Sequence, residues 1–348
     1  MRVIVDFDRA RAVFDTLMAT LAAGGYPYNT KRGQVPHIPE NLPKNGFASD
    51  IHKAGYFFAL CYYMRGGIRS DRATKAMTGI YEQHPEYFVP AVAAELDPHE
   101  IRRALMSVRL GYSKLHNTPR FWVENSRRIV ERWQGDPRRI FDGVTAYEEA
   151  AARIRNKKTG RRTPPKSPYD GFLGFQEKMV SMLIYFFMDV ELLDRWHFPL
   201  PIDFQVLRVL FEHEIVRVEG QANGNHYLPE TLAEARALTL WYAQEHNMNP
   251  LRFCDALWCF SRAMCEQNPG NKTNGRVRYA QGMGRRTPIR SAPVTWSQSQ
   301  VRAYERSCGR CPVESTCRWN IPSGPYYVQG KLVVRGPRER SPQKRLFD

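Results

Sequence analysis

The 348-residue chain has no uninterrupted apolar stretch approaching the length of a bilayer-spanning helix. Its first residues, Met1-Arg2-Val3-Ile4-Val5-Asp6-Phe7-Asp8, meet acidic side chains at once and carry no secretory apolar region. A soluble, intracellular protein without a membrane partner is therefore expected. An even set of cysteines is also lacking. There are seven, Cys61, Cys254, Cys259, Cys265, Cys308, Cys311 and Cys317, which argues against a disulfide framework. Neither the alternating apolar and polar runs of a β core nor a repeat at a fixed period is visible. Negative charge is in short supply: 35 Asp and Glu face 51 Lys and Arg, a net +16. Such a surplus favours a polyanionic partner, because each neutralised phosphate releases condensed counterions; a membrane surface or plain solubility are the alternatives. The apolar share, 43 %, is enough to build a hydrophobic core and excludes wholesale disorder.

What is present reads as helices. Asp6 or Asp8 caps a first helix running to about Ala23, ended by Gly24-Gly25. Residues 25–49 are rich in Pro, Asn and Gly and read as a loop. Tyr56 to Met64 is apolar and aromatic, a buried helix or, at that length, a strand. Ser70 or Asp71 opens a helix through Tyr81, Pro98 opens another, and Pro119 suits the first turn of one reaching Trp133. A short helix at Tyr147–Ile154 precedes a basic, proline-bearing loop from Asn156 to Lys166. Further helical segments follow at 176–187, 204–216, 230–245 and 249–265. Residues 266–307 break this pattern, with eight Lys and Arg against only Glu266 and Glu305. Tyr326–Val328 and Lys331–Val334 form a candidate hairpin ahead of a basic tail. The expected class is mainly α.

The most specific spacing is Cys308-Gly-Arg-Cys311-Pro-Val-Glu-Ser-Thr-Cys317. Three thiolates in one short polar loop suit a metal ion or an iron–sulfur cluster. A fourth ligand comes from Cys254, Cys259 or Cys265 on the preceding helix; the cysteines of that helix that are not ligands are core. The loop resembles the last three ligands of the [4Fe–4S] loop of endonuclease III and its adenine-glycosylase relatives. In that family the first ligand ends a helix, which favours Cys265, although 42 residues separate it here from Cys308. The resemblance implies a [4Fe–4S] cluster on Cys265, Cys308, Cys311 and Cys317, with zinc as the alternative.

Other segments resemble the same helix-hairpin-helix glycosylase superfamily, in the same order along the chain. Leu173-Gly174-Phe175-Gln176-Glu177-Lys178-Met179-Val180 is similar to its hairpin, with Gln176 replacing the second glycine and Leu173 the usual proline. Pro201-Ile202-Asp203-Phe204-Gln205-Val206-Leu207-Arg208-Val209 is similar to its aspartate motif. Ser70-Asp71-Arg72-Ala73-Thr74-Lys75-Ala76 and Gly111-Tyr112-Ser113-Lys114 are similar to its early helix and turn. Breaking an N-glycosidic bond builds positive charge on the deoxyribose, which a carboxylate stabilises; Asp203 takes that role. A neutral lysine amine attacks C1′ to form a Schiff base. The helix dipole and the apolar Phe175, Met179 and Met182 disfavour the ammonium form of Lys178. Taken singly, Lys178 reads as a solvated helix lysine, and Asp203 as the N-cap of the helix at Phe204; the aspartate is able to do both.

The resemblance implies a two-lobed fold. Residues 50–200 would form a helical barrel, and 1–49 with 201–348 a second lobe holding the cluster loop. Lys178 and Asp203 are expected to face each other across the cleft. It implies a monomeric, nucleoid-associated cytoplasmic enzyme that excises a damaged or modified base flipped out of double-stranded DNA, followed by β-elimination at the abasic site. A monofunctional glycosylase, a non-catalytic DNA-binding protein on the same fold, and a glycosidase acting on RNA or free nucleosides are the alternatives. The candidate DNA contacts are Gly174, Gln176, Lys157, Lys158, Arg161, Arg162, Arg276, Arg278, Arg285 and Arg286. The base itself is not readable from the residues.

Overall fold

The computed structural model describes residues 2–64, 68–108, 117–156, 171–219, 224–225, 229–267, 310–317, 324–328 and 331–335. Among them the chain is mainly helical. The first elements are β1 (Arg2–Val5), α1 (Phe7–Ala22), α2 (Asp50–Met64), α3 (Ser70–Gln83), α4 (Pro90–Ala93), α5 (Pro98–Ser107), α6 (Thr118–Trp133) and α7 (Tyr147–Ile154). There follow α8 (Glu177–Asp189), α9 (Phe204–Glu212), β2 (Val216–Glu219), β3 (Gly224–Asn225), α10 (Pro229–Glu245), α11 (Pro250–Ala263), β4 (Gly324–Val328) and β5 (Lys331–Arg335). No helix among the described residues is long and apolar enough to cross a membrane.

Local chemistry sets many helix starts. Asp6, rather than Asp8, caps α1 by accepting the Arg9 N–H at 3.0 Å. Asp97 accepts the His99 N–H at 2.8 Å ahead of Pro98, and Asn249 accepts the Leu251 N–H at 3.0 Å ahead of Pro250. In each case a short polar side chain satisfies one of the amides a helix leaves unpaired at its start.

The chain divides into two compact units, Pro36–Pro201, and Met1–Val35 together with Ile202–Asp348. Residues 36–49, expected with the second lobe, belong to the contiguous unit. They are tied there: the Asn41 carbonyl accepts from the Thr78 hydroxyl at 2.8 Å, the Ala48 N–H donates to the Tyr81 hydroxyl at 2.8 Å, and the His37 side chain places Nε2 3.0 Å from Asp189 Oδ2. The core of this unit is α2 packed on α8, with Tyr56, Phe57, Leu60, Leu183 and Phe187 fully buried. Tyr56–Met64 is thus helix and not strand, as part of a 15-residue element buried along most of its length.

In the other unit α1 and α9 pack on α11, burying Phe14, Leu17, Val206, Leu210, Phe253 and Phe260. Two short sheets accompany the helices, of which only the hairpin was expected. β1 pairs antiparallel with β2, Val3 opposite Val218. The helix expected over 204–216 stops at Glu212, because His213 caps it, Glu214 turns left-handed (φ 53°) and Val216-Arg217-Val218 alternates as a strand. The expected hairpin forms as β4 and β5, with β3 added in the order β3-β5-β4.

Candidate functional site

The Lys178 region lies in the Pro36–Pro201 unit, where residues 171–176 form a turn ahead of α8. The turn is held by backbone bonds from Phe172 N–H to the Ile154 carbonyl (3.0 Å) and from Asn156 N–H to the Phe175 carbonyl (2.9 Å). Asn125, fully buried on α6, clamps it: its Oδ1 accepts the Leu173 N–H at 2.7 Å, and its Nδ2 donates to the Leu173 carbonyl at 3.0 Å. Gly174 sits at φ 89°, where a side chain is strained. Gln176 is extended, at φ −117° and ψ 178°, so the motif's second glycine is not required by the backbone there. Gln176 occupies the N-cap position of α8 without a side-chain cap, and its exposed side chain reaches the Asn156 carbonyl at 3.4 Å. Glu177 fastens α8 to α7 through the Tyr147 hydroxyl (3.0 Å) and an ion pair with Arg155.

Lys178 follows in the first turn of α8, half-buried. Phe175, Met179 and Met182 beside it in sequence are all core residues. Lys178 makes no ion pair among the described residues. Its charge is felt by Cys61 on α2: burial pushes that thiol well up from its ordinary value, and the nearby Lys178 pulls it partly back.

Asp203 lies in the other unit, 6 % exposed, at the N-cap of α9. Its Oδ1 accepts the Gln205 N–H at 2.8 Å and the Val206 N–H at 3.1 Å, while Oδ2 accepts the Trp258 indole N–H at 3.2 Å. Among the described residues it has no ion-pair partner. A buried carboxylate is costly without a cation; here three N–H donors and the positive end of α9 take that place. Gln205 continues the network, its Oε1 accepting from the Ser261 hydroxyl (2.8 Å) and Arg208 Nη1 (2.7 Å), and its Nε2 donating to Glu266 Oε2 at 3.0 Å.

Comparison with family models, curated proteins and solved structures gives no match.

The cysteine region belongs to the same unit as Asp203. α11 ends at Ala263, two residues earlier than expected, and Cys265 opens a single 3-10 turn, Cys265–Gln267, behind Met264. Burial drives the Tyr28 phenol pKa upward, with smaller contributions in the same direction from Cys259, Cys311 and Cys265. The loop is anchored by Thr316, whose hydroxyl lies 2.8 Å from His213 Nδ1 and whose carbonyl accepts from Arg9 at 3.4 Å. Cys254 and Cys259 are buried in α11, and Cys265 is 8 % exposed. No group of three or more His, Cys, Asp or Glu among the described residues is arranged to hold a metal ion. Cys308 lies outside the described residues, so the donor set they offer is incomplete.

The basic candidates Lys157, Lys158, Arg161, Arg162, Arg276, Arg278, Arg285 and Arg286 also lie outside the described residues, as does the Gly111–Lys114 turn. Three residues were not anticipated: Asn125, Trp258 and Tyr28. Each acts across at least 48 positions of sequence, and no local spacing marks such a partner.

Proposed function

We propose that this chain is a DNA glycosylase of the helix-hairpin-helix type, cleaving the N-glycosidic bond of a damaged or modified base and then the abasic strand through Lys178. The observation that carries the reading is Asp203. It is buried, without an ion-pair partner among the described residues, and accepts three N–H donors. A carboxylate held by N–H donors and not by a resident cation is able to face a cation that exists only during reaction, and an oxocarbenium-like sugar is such a cation. Lys178 supplies the amine: it sits in a first helical turn, beside core apolar residues and without an ion pair among the described residues, which suits a nucleophile more than a structural cation. The +16 net charge fits a duplex DNA partner.

Cys265, Cys308, Cys311 and Cys317 would hold a [4Fe–4S] cluster, with zinc as the alternative. Bound there, the group would staple the cysteine loop to the end of α11.

The test is a panel of duplexes, each with one altered base, scored for base release and strand cleavage. Base release from at least one duplex is expected, lost by two or more orders of magnitude in Asp203→Asn. Borohydride should trap a covalent protein–DNA adduct that disappears in Lys178→Gln. Base release without an adduct assigns the monofunctional alternative. DNA binding with no base release from any duplex, indifferent to Asp203→Asn, leaves a binding protein and overturns the proposal.

A further inference from the structure

The cap bonds to Asp203 fix only one of its oxygens. Oδ1 takes both α9 amides; Oδ2 takes the Trp258 indole alone. An ionised carboxylate offers about four lone-pair sites, so three described donors leave one Oδ2 site uncommitted. Without a donor on Oδ2 only the two Oδ1 bonds would restrain the carboxylate plane, because the terminal torsion of aspartate is broad.

We infer that Trp258 is the positioning residue of this carboxylate, its indole N–H setting the plane in which the remaining Oδ2 lone pair meets the developing sugar cation. The inference rests on the reading of Asp203 given above. Trp258 is itself held. It is half-buried on α11, the Arg262 guanidinium lies 5.3 Å from its ring centre, and Arg262 Nη1 donates to the Gln34 carbonyl at 3.3 Å. Three residues on, Ser261 holds the side chain of Gln205, whose backbone N–H is one of the donors to Oδ1. One helix thus governs both oxygens, directly at Oδ2 and through Gln205 at Oδ1.

The test uses the full chain and two duplexes that are not consumed. One carries a pyrrolidine abasic nucleotide, whose ammonium mimics the charge built on the sugar; the other carries its neutral tetrahydrofuran counterpart. The readout is the ratio of the two affinities. Wild type is expected to prefer the cationic duplex, and Asp203→Asn to lose that preference. Trp258→Phe should reduce it about tenfold or more, as for a lost hydrogen bond to a charged group, with tetrahydrofuran affinity and thermal midpoint retained. Benzothienylalanine at position 258 keeps the ring shape, removes only the N–H, and should give the same loss. It also decides the matter where the phenylalanine variant fails to fold. A benzothienylalanine protein with full preference, beside an Asp203→Asn protein with none, overturns the role of Trp258 and leaves the reading of Asp203 standing. A wild type that does not distinguish the duplexes overturns both.

Discussion

Removing the Asn125 clamp should unfasten the turn that presents Lys178. The side chain is fully buried and makes paired bonds to Leu173, 2.7 Å to its N–H and 3.0 Å to its carbonyl. Asn125→Leu keeps the branched side-chain shape with the same number of heavy atoms and a larger volume, so no cavity complicates the reading. It removes two hydrogen bonds worth about 1 kcal/mol each net, and strands a buried donor and acceptor at roughly 1–3 kcal/mol apiece. These ranges overlap in what they count, and a fair sum is about 3 kcal/mol. For a unit of this size that is a fall in melting temperature of roughly 6–12 °C. Asn125→Asp should do no better: it still accepts from Leu173 N–H but turns a carboxylate oxygen toward the Leu173 carbonyl. Calorimetric or circular-dichroism melts at neutral pH measure the effect. An Asn125→Leu protein melting within about 2 °C of wild type would refute the argument that this turn depends on tertiary hydrogen bonding.

Other consequences concern packing and pH. Gly55 on α2 lies against the Pro85–Phe88 turn, and a Cβ there would stand 1.8 Å from the Phe88 carbonyl oxygen. Gly55→Ala should therefore cost about 3 kcal/mol or more, at or beyond the upper end of ordinary overpacking; an unchanged urea midpoint would contradict the close approach. Burial raises the pKa of the Tyr56 phenol above its ordinary value near 10 and that of the Cys61 thiol above its ordinary value near 9. The unfolded chain then loses these protons first as pH rises. Their stabilisation is complete below the unfolded values and declines above them, by about 1.4 kcal/mol per pH unit per group. Urea melts at neutral and alkaline pH should show this loss, and Tyr56→Phe should flatten it by one group's share. An identical alkaline slope in that variant would remove Tyr56 from the account.

Much of the helical framework was legible because its signals are local. Asp6 acts on an amide three residues away, and Pro98 and Pro119 restrict the backbone where they stand; Asp97 and Asn249 cap their helices equally locally but were not read as caps. Asp203 was legible as a cap on the same ground. The strand β1 was not, since four residues become a strand only when Val216–Glu219 is beside them. Gln176 looked like a departure from the hairpin motif, yet its extended backbone has no need of glycine, whereas the φ of Gly174 does.

Sequence by itself determined where several helices begin and that the chain is mainly helical, because capping and periodicity operate over a few residues. Tertiary structure alone decided that Asn125 clamps Leu173, that residues 36–49 join the contiguous unit, and that the Trp258 indole meets Asp203. Those are contacts between groups far apart along the chain, and what selects them is the need of buried polar atoms for partners once the core has closed.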